Sequence, residues 1–153
     1  MRALLVSPYG TKVNPYMGLL RDGLAVAGAT VTDTRLLTPA HLTGSERPDV
    51  IHLHWIEGYD RGAAPRSPAL ARLARLGPAR DLLRWRQLAA LLDALARFQA
   101  EGGRVAYTAH NLDPHEANSW PERRALRRIL RAADLVHAHD AATAAELAAR
   151  FGR

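Results

Sequence analysis

No cysteine occurs anywhere in the chain. That removes a disulfide scaffold, a thiolate zinc site and a cysteine nucleophile, and it suits a reducing compartment. No G-x-G-x-x-G follows the first apolar run and no G-x-x-x-x-G-K-[ST] is present. Neither a dinucleotide fingerprint nor a P-loop is therefore written here. Long hydrophobic runs are also missing. Ala3 to Val6 is stopped by Ser7-Pro8, which is too short for a secretory h-region. Nothing approaches the roughly 20 apolar residues of a membrane-spanning helix. Lysine is scarce: the positive charge is nearly all arginine, with Lys12 the exception. The net charge is +6. It permits contact with an anionic surface or a phosphorylated substrate without requiring it.

What remains is 48% hydrophobic and 24% charged, in 153 residues. That is an ordinary globular composition. The length reads as one domain, 1–153. A domain of that size buries roughly 70% of its unfolded surface. Short apolar runs alternate with helical patterns. Strands are expected at Arg2–Ser7, Thr30–Arg35, Asp49–Trp55, Val105–Ala109 and Leu135–Ala138. Helices are expected at Tyr16–Ala27, Pro68–Leu76, Pro78–Ala100, Glu122–Ala133 and Asp140–Phe151. In the first helix Leu19, Leu20, Gly23, Leu24 and Ala27 form the expected inward side, with Gly28 at C′. In the third, Leu88, Leu91, Leu92 and Leu95 make one apolar stripe. Thr143-Ala-Ala-Glu146 has capping-box spacing and offers a start for the last helix. This order predicts an α/β, Rossmann-like, doubly wound and mainly parallel sheet with helices on both faces and right-handed crossovers.

Three of the strands end in histidine: Asp49-Val-Ile-His-Leu-His-Trp55, Arg104-Val-Ala-Tyr-Thr-Ala-His-Asn111 and Asp134-Leu-Val-His-Ala-His-Asp140. Ligands bind at the carboxyl ends of parallel strands, so His54, His110 and His139 are expected along one functional edge. His52 shares a face with His54, and His137 with His139. Both pairs read equally as pocket-lining or as hydrogen-bonded core residues. A zinc site lacks the flanking carboxylate of an H-E-x-x-H frame, so no metal is assigned. His110 is the candidate catalytic residue. It closes a central strand and precedes Asn111 and Asp113-Pro-His-Glu116, so it can orient a hydroxyl or take its proton. The alternative is that His110 and Asn111 cap backbone groups of the loop. The turn-rich loop Pro8–Pro15 after the first strand is the usual place for a phosphate or sugar. Arg123, Arg127 and Arg131 share a helix face, with Arg124 and Arg128 beside them; Arg72, Arg75, Arg80, Arg84 and Arg86 form a second run around Trp85. Basic helices with an aromatic suit a membrane surface, although a solvated face has the same pattern. No nucleic-acid motif accompanies them.

Taken together, the first strand with its loop Pro8 to Tyr16, Asp49–Trp55, Ala109-His-Asn-Leu-Asp-Pro-His-Glu116 and Ala133–His139 resemble the N-terminal domain of a family-4-type glycosyltransferase of the two-domain GT-B architecture. The segment Ala133 to Phe151 resembles that family's last N-domain unit. The resemblance implies the acceptor side of a cleft in which a sugar passes from a nucleotide-sugar to a glycan or lipid-linked acceptor, typically with retention and with no bound metal or other cofactor. It implies that Tyr9, Gly10, Asn14 and Tyr16 border acceptor or donor phosphate, with His110 near the reacting sugar. It places Asn111, His115 and Glu116 in the acceptor pocket, with His54, Trp55 and His139 on the same edge. It also implies a cytoplasmic setting, peripheral to the inner membrane face where the arginine helices meet anionic lipid. The family's donor-binding C-terminal domain is not in this chain. The expectation is therefore little activity alone, and a partner that is either that domain or a separately encoded second half. The competing reading is a non-catalytic module on the same fold that binds a partner protein or an anionic membrane.

Overall fold

The computed structural model describes residues 1–9, 14–56, 77–110 and 119–152. Among the described residues five strands are present: β1 (Arg2–Val6), β2 (Thr30–Thr34), β3 (Val50–His54), β4 (Arg104–Ala109) and β5 (Leu135–Ala138). Four helices accompany them: α1 (Pro15–Val26), α2 (Gly77–Ala100), α3 (Trp120–Ala132) and α4 (Ala141–Phe151). A 3₁₀ turn, Pro39–Leu42, lies in the connection from β2 to β3. The expected helix at Pro68–Leu76 lies outside the described residues.

All strand pairings are parallel, in the order β2-β1-β3-β4-β5. This is the Rossmann-like doubly wound arrangement. The chain moves outward from β1 to β2, then returns past β1 to β3, which makes the β1/β3 boundary the topological switch point. The strand period of two divides the sheet into two faces. Leu4, Val6, Ile51, Leu53, Val105, Tyr107 and Ala109 join one buried cluster with Leu88, Leu91, Leu95 and Phe98 of α2, Leu126, Ile129 and Leu130 of α3, and Leu147 of α4. The opposite face carries Leu5, His52, His54, Thr108 and His137, in register across β1, β3, β4 and β5. Helix α1 starts over this face with Met17 fully buried.

Two helix details differ from the sequence reading. The inward side of α1 is Met17 with Leu20 and Leu24 half-buried, while Leu19 is 74% exposed. The helix starts one residue earlier than the apolar pattern suggests, because Asn14 caps it and Pro15 opens it. Proline suits that first position, and the early start sets which stripe meets the sheet. Helix α4 starts at Ala141, since Asp140 accepts the Thr143 N–H at 2.8 Å. The aspartate thus supplies the cap ahead of Thr143.

Helices α2 and α3 are joined by a charge pair that the sequence hides in an arginine run. Arg84 reaches Glu122 at 2.6 Å, with the arginine side chain 12% exposed and the glutamate fully buried. Ser119 donates its hydroxyl to the other carboxylate oxygen at 2.8 Å. Replacing Glu122 with glutamine removes the charge and keeps the shape. It should lower stability in urea by about 2 kcal/mol, the range for a hydrogen bond to a charged group. An unchanged midpoint would mean that the pair contributes nothing net.

At the far end of α2, Gly103 lies directly against the Phe98 ring, where a β-carbon has no room. Phe98 is 1% exposed, and Arg47 lies over its ring at 4.7 Å, so the ring has no free side to move into. Gly103→Ala should therefore cost about 2 kcal/mol by overpacking. Thermal unfolding of the variant measures it, and an unshifted midpoint would show that the ring yields.

Candidate functional site

Five of the seven histidines gather at the carboxyl end of the α1-side face. Strand register does this: His54 lies beside Thr108, and Thr108 beside His137, so the next residues along the same face are His110 and His139. The imidazoles are hydrogen-bonded in series. His54 Nδ1 lies 3.1 Å from His110 Nε2, and His110 Nδ1 lies 2.9 Å from His139 Nε2. The series runs outward, from His54 at 2% exposure through half-buried His110 to exposed His139. His52 forms a separate bond, Nε2 to Thr108 Oγ at 2.8 Å.

A neutral imidazole donates from one nitrogen and accepts at the other, so the series has a single direction. His54 Nε2 is buried and has no partner among the described residues. A bare lone pair there costs less than an orphaned N–H. That selects donation from His54 Nδ1 to His110, and from His110 Nδ1 to His139.

Aromatic rings enclose the series. Trp55 stacks on His110 with centroids 3.6 Å apart and planes 11° from parallel. Tyr9 meets Trp55 edge-on at 5.7 Å. Tyr16 presents edges to His54, His110 and His139 at 5.9, 5.3 and 5.1 Å. Trp55 is also the one non-glycine residue described with positive φ, at 46°. Strain of that kind costs on the order of 1 kcal/mol or more and concentrates at functional sites. Here it turns the indole back over His110 immediately after β3.

Burial holds three of the rings neutral: His52, His54 and His110. The pKa of His54 is lowered to about 2, first by burial and then by the neighbouring imidazoles. His52 is lowered to about 4 by burial and by His137, and His110 to about 4 by burial and by His139. At neutral pH His52, His54 and His110 carry lone pairs rather than charge. Among the described residues, no group of three or more His, Cys, Asp or Glu is placed to hold a metal ion.

Of the residues expected in the site, His54, Trp55, His110, His139, Tyr9 and Tyr16 come together. Asn14 lies at the head of α1, where its side-chain oxygen accepts the Tyr16 N–H at 3.0 Å, so it helps to set Tyr16 in place. Gly10, Asn111, His115 and Glu116 lie outside the described residues. The sequence reading did not anticipate Thr108 as the partner of His52, nor Ser7, whose buried hydroxyl lies at the end of β1 next to β3. The signal was available in principle, since parallel register brings Thr108 between His52 and His137. It requires knowing which strands are neighbours.

The chain is similar to curated proteins described as GDP-mannose:glycolipid 4-beta-D-mannosyltransferase from Xanthomonas campestris pv. campestris, one of them from strain ATCC 33913. In each case the identity is 36% over 116 residues, covering 76% of this chain and 27% of the relative. The aligned segment thus spans about a quarter of those relatives' length. No family model matches the chain. No solved structure matches it.

Proposed function

We propose that this chain is the acceptor side of a glycosyltransferase that moves a hexose, mannose in the first instance, from a nucleotide-sugar to a glycan or lipid-linked acceptor. The observation that carries the reading is the hydrogen-bonded imidazole series at the carboxyl edge of a doubly wound sheet, in a chain similar to a mannosyltransferase. In such sheets substrates lie in the crevice outside the carboxyl ends. Tyr9, Tyr16 and Trp55 supply the flat apolar walls against which a sugar ring stacks.

The chemistry follows from what the series can do. The acceptor hydroxyl oxygen attacks the anomeric carbon, the bond from that carbon to the diphosphate breaks, and the nucleoside diphosphate leaves with the electron pair. The hydroxyl proton passes to an imidazole lone pair. His110 is the assigned acceptor: the acceptor hydroxyl takes the place of the His54 N–H at His110 Nε2 and gives its proton there, while His110 Nδ1–H stays on His139, which holds the ring in position. The relative forms a β-linkage. An α-linked nucleotide-sugar reaches a β product by one displacement, for which a base on the acceptor side suffices. This favours inversion over the retention implied by the sequence resemblance. The donor site belongs to a second domain or second polypeptide, so little transfer is expected from this chain alone.

The reading is tested in extracts of a strain that lacks the chain, supplied with GDP-mannose and its own glycolipids. Added wild-type chain should restore mannose incorporation into the lipid fraction. Extracts indifferent to the chain would sink the proposal.

A further inference from the structure

Away from the histidine edge, helix α3 bears five arginines, at 123, 124, 127, 128 and 131, that line one open groove with Trp120. The helix has a single acidic residue, Glu122, and it is turned inward onto Arg84. The outward face of α3 therefore carries positive charge, with Arg124, Arg127 and Arg128 exposed on it. Aromatic and apolar surface adjoins it. Trp120 is 44% exposed and lies 5.6 Å from Trp85 of α2. The guanidinium groups of Arg124 and Arg128 sit over the Trp85 ring at 5.3 and 5.5 Å. Leu82, one turn before Trp85, is 58% exposed. Arg84 leaves this surface, because it is spent on Glu122, and Arg80 lies 3.5 Å from Asp81.

From this we infer that the α2–α3 surface built on Trp85, Trp120, Arg124 and Arg128 docks the protein onto an anionic lipid bilayer. Guanidinium groups held on indole rings, next to an exposed leucine and a half-exposed tryptophan, match the polar–apolar boundary of a bilayer. A free anion would use the charges and leave Leu82 and Trp120 unexplained. The same mismatch argues against nucleic acid. No described helix is long and apolar enough to cross a membrane. Topology adds a second argument. In a parallel α/β sheet the helix that follows a strand begins at that strand's carboxyl edge. Trp120 opens α3, and Leu82 and Trp85 lie in the first half of α2. The apolar part of the surface is thus on the same rim as His110. A bilayer bound there would bring lipid headgroups toward the imidazole edge. The inference does not depend on the glycosyl-transfer reading, and its test involves no turnover.

The full 153-residue chain is sedimented with vesicles of equimolar phosphatidylcholine and phosphatidylglycerol, and with vesicles of phosphatidylcholine alone. Binding is expected to the first and not the second, and should weaken as salt is raised. Arg124→Glu with Arg128→Glu should reduce the partition coefficient on the order of 100-fold, since each basic residue near a charged surface contributes severalfold. Arg21→Glu with Arg97→Glu changes net charge equally on other surfaces and should have little effect. Trp120→Ala should weaken binding with no change in salt dependence, and circular dichroism establishes that each variant is folded. Equal loss from the two double reversals would overturn the inference, as would binding to neutral vesicles alone. Binding of inorganic pyrophosphate or of an oligonucleotide, with no vesicle binding, would overturn it in favour of that ligand.

Discussion

His110→Ala should lower sugar transfer by about 100- to 10,000-fold, the range for loss of a positioned general base. His110→Gln should fail almost as badly. It keeps polarity and much of the volume, and it has no lone pair basic enough to take the proton. The structure gives His110 three fixed relations: His54 and His139 through its two ring nitrogens, and Trp55 through its face. Each fixes one degree of freedom of the ring. Variants at the neighbours should therefore separate positioning from chemistry. His139→Ala removes one end of the series and leaves a base in place, so its loss should be smaller than that of His110→Ala. The pH profile of kcat/KM gives the sharper signature. Burial and His139 hold His110 at about 4. The acid limb should therefore lie near that value rather than near the ordinary value of about 6.5. A structural role for His110 predicts no such limb. Transfer that survives His110→Ala within a factor of a few would remove the residue from the mechanism.

Much of the sheet could be read from the sequence because its signals are local. Four of the five strands are short apolar runs and β2 alternates, and each falls within a residue or two of where its pattern ends. The buried side of α2 followed from the helical period, with Leu88, Leu91 and Leu95 all inside. The side of α1 did not. Its leucines compete for two stripes, and the choice rests on the cap at Asn14 and on Met17, a residue that periodicity alone does not single out. Arg84 shows a different limit. In a run of arginines it is one more surface charge, and only the packing of α2 on α3 turns it onto Glu122. The histidine edge was legible as an edge, because strand ends in a parallel sheet share one side. Its connectivity was not, because the series His54, His110, His139 depends on β3, β4 and β5 being neighbours in that order.

The same neutral histidines should make the fold sensitive to mild acid. In the unfolded chain an imidazole takes up its proton near about pH 6.5. In the native state His52 is held to about 4 and His54 to about 2, chiefly by burial. Between about pH 6.5 and about pH 4 the unfolded state therefore binds more protons than the native state, and native stability falls as pH falls. Above that window both states are neutral at these positions and the full stability is present. His54 alone should cost about 2 kcal/mol by about pH 5, with His52 adding to the loss. Asp134 acts in a separate range. The Val105 N–H and then the Arg104 guanidinium hold it at about 2, below its ordinary value. Its contribution is therefore present above about pH 4 and disappears only below. Loss between about pH 6.5 and about pH 5 thus belongs to the histidines. Urea unfolding at about pH 7.5 and about pH 5 measures it. His54→Gln should be less stable at the upper pH, where it breaks the bond to His110, and its stability should change less between the two. Wild-type stability that stayed flat across this interval would mean that His52 and His54 take up protons without opening the fold, and the neutral state drawn for them would be wrong.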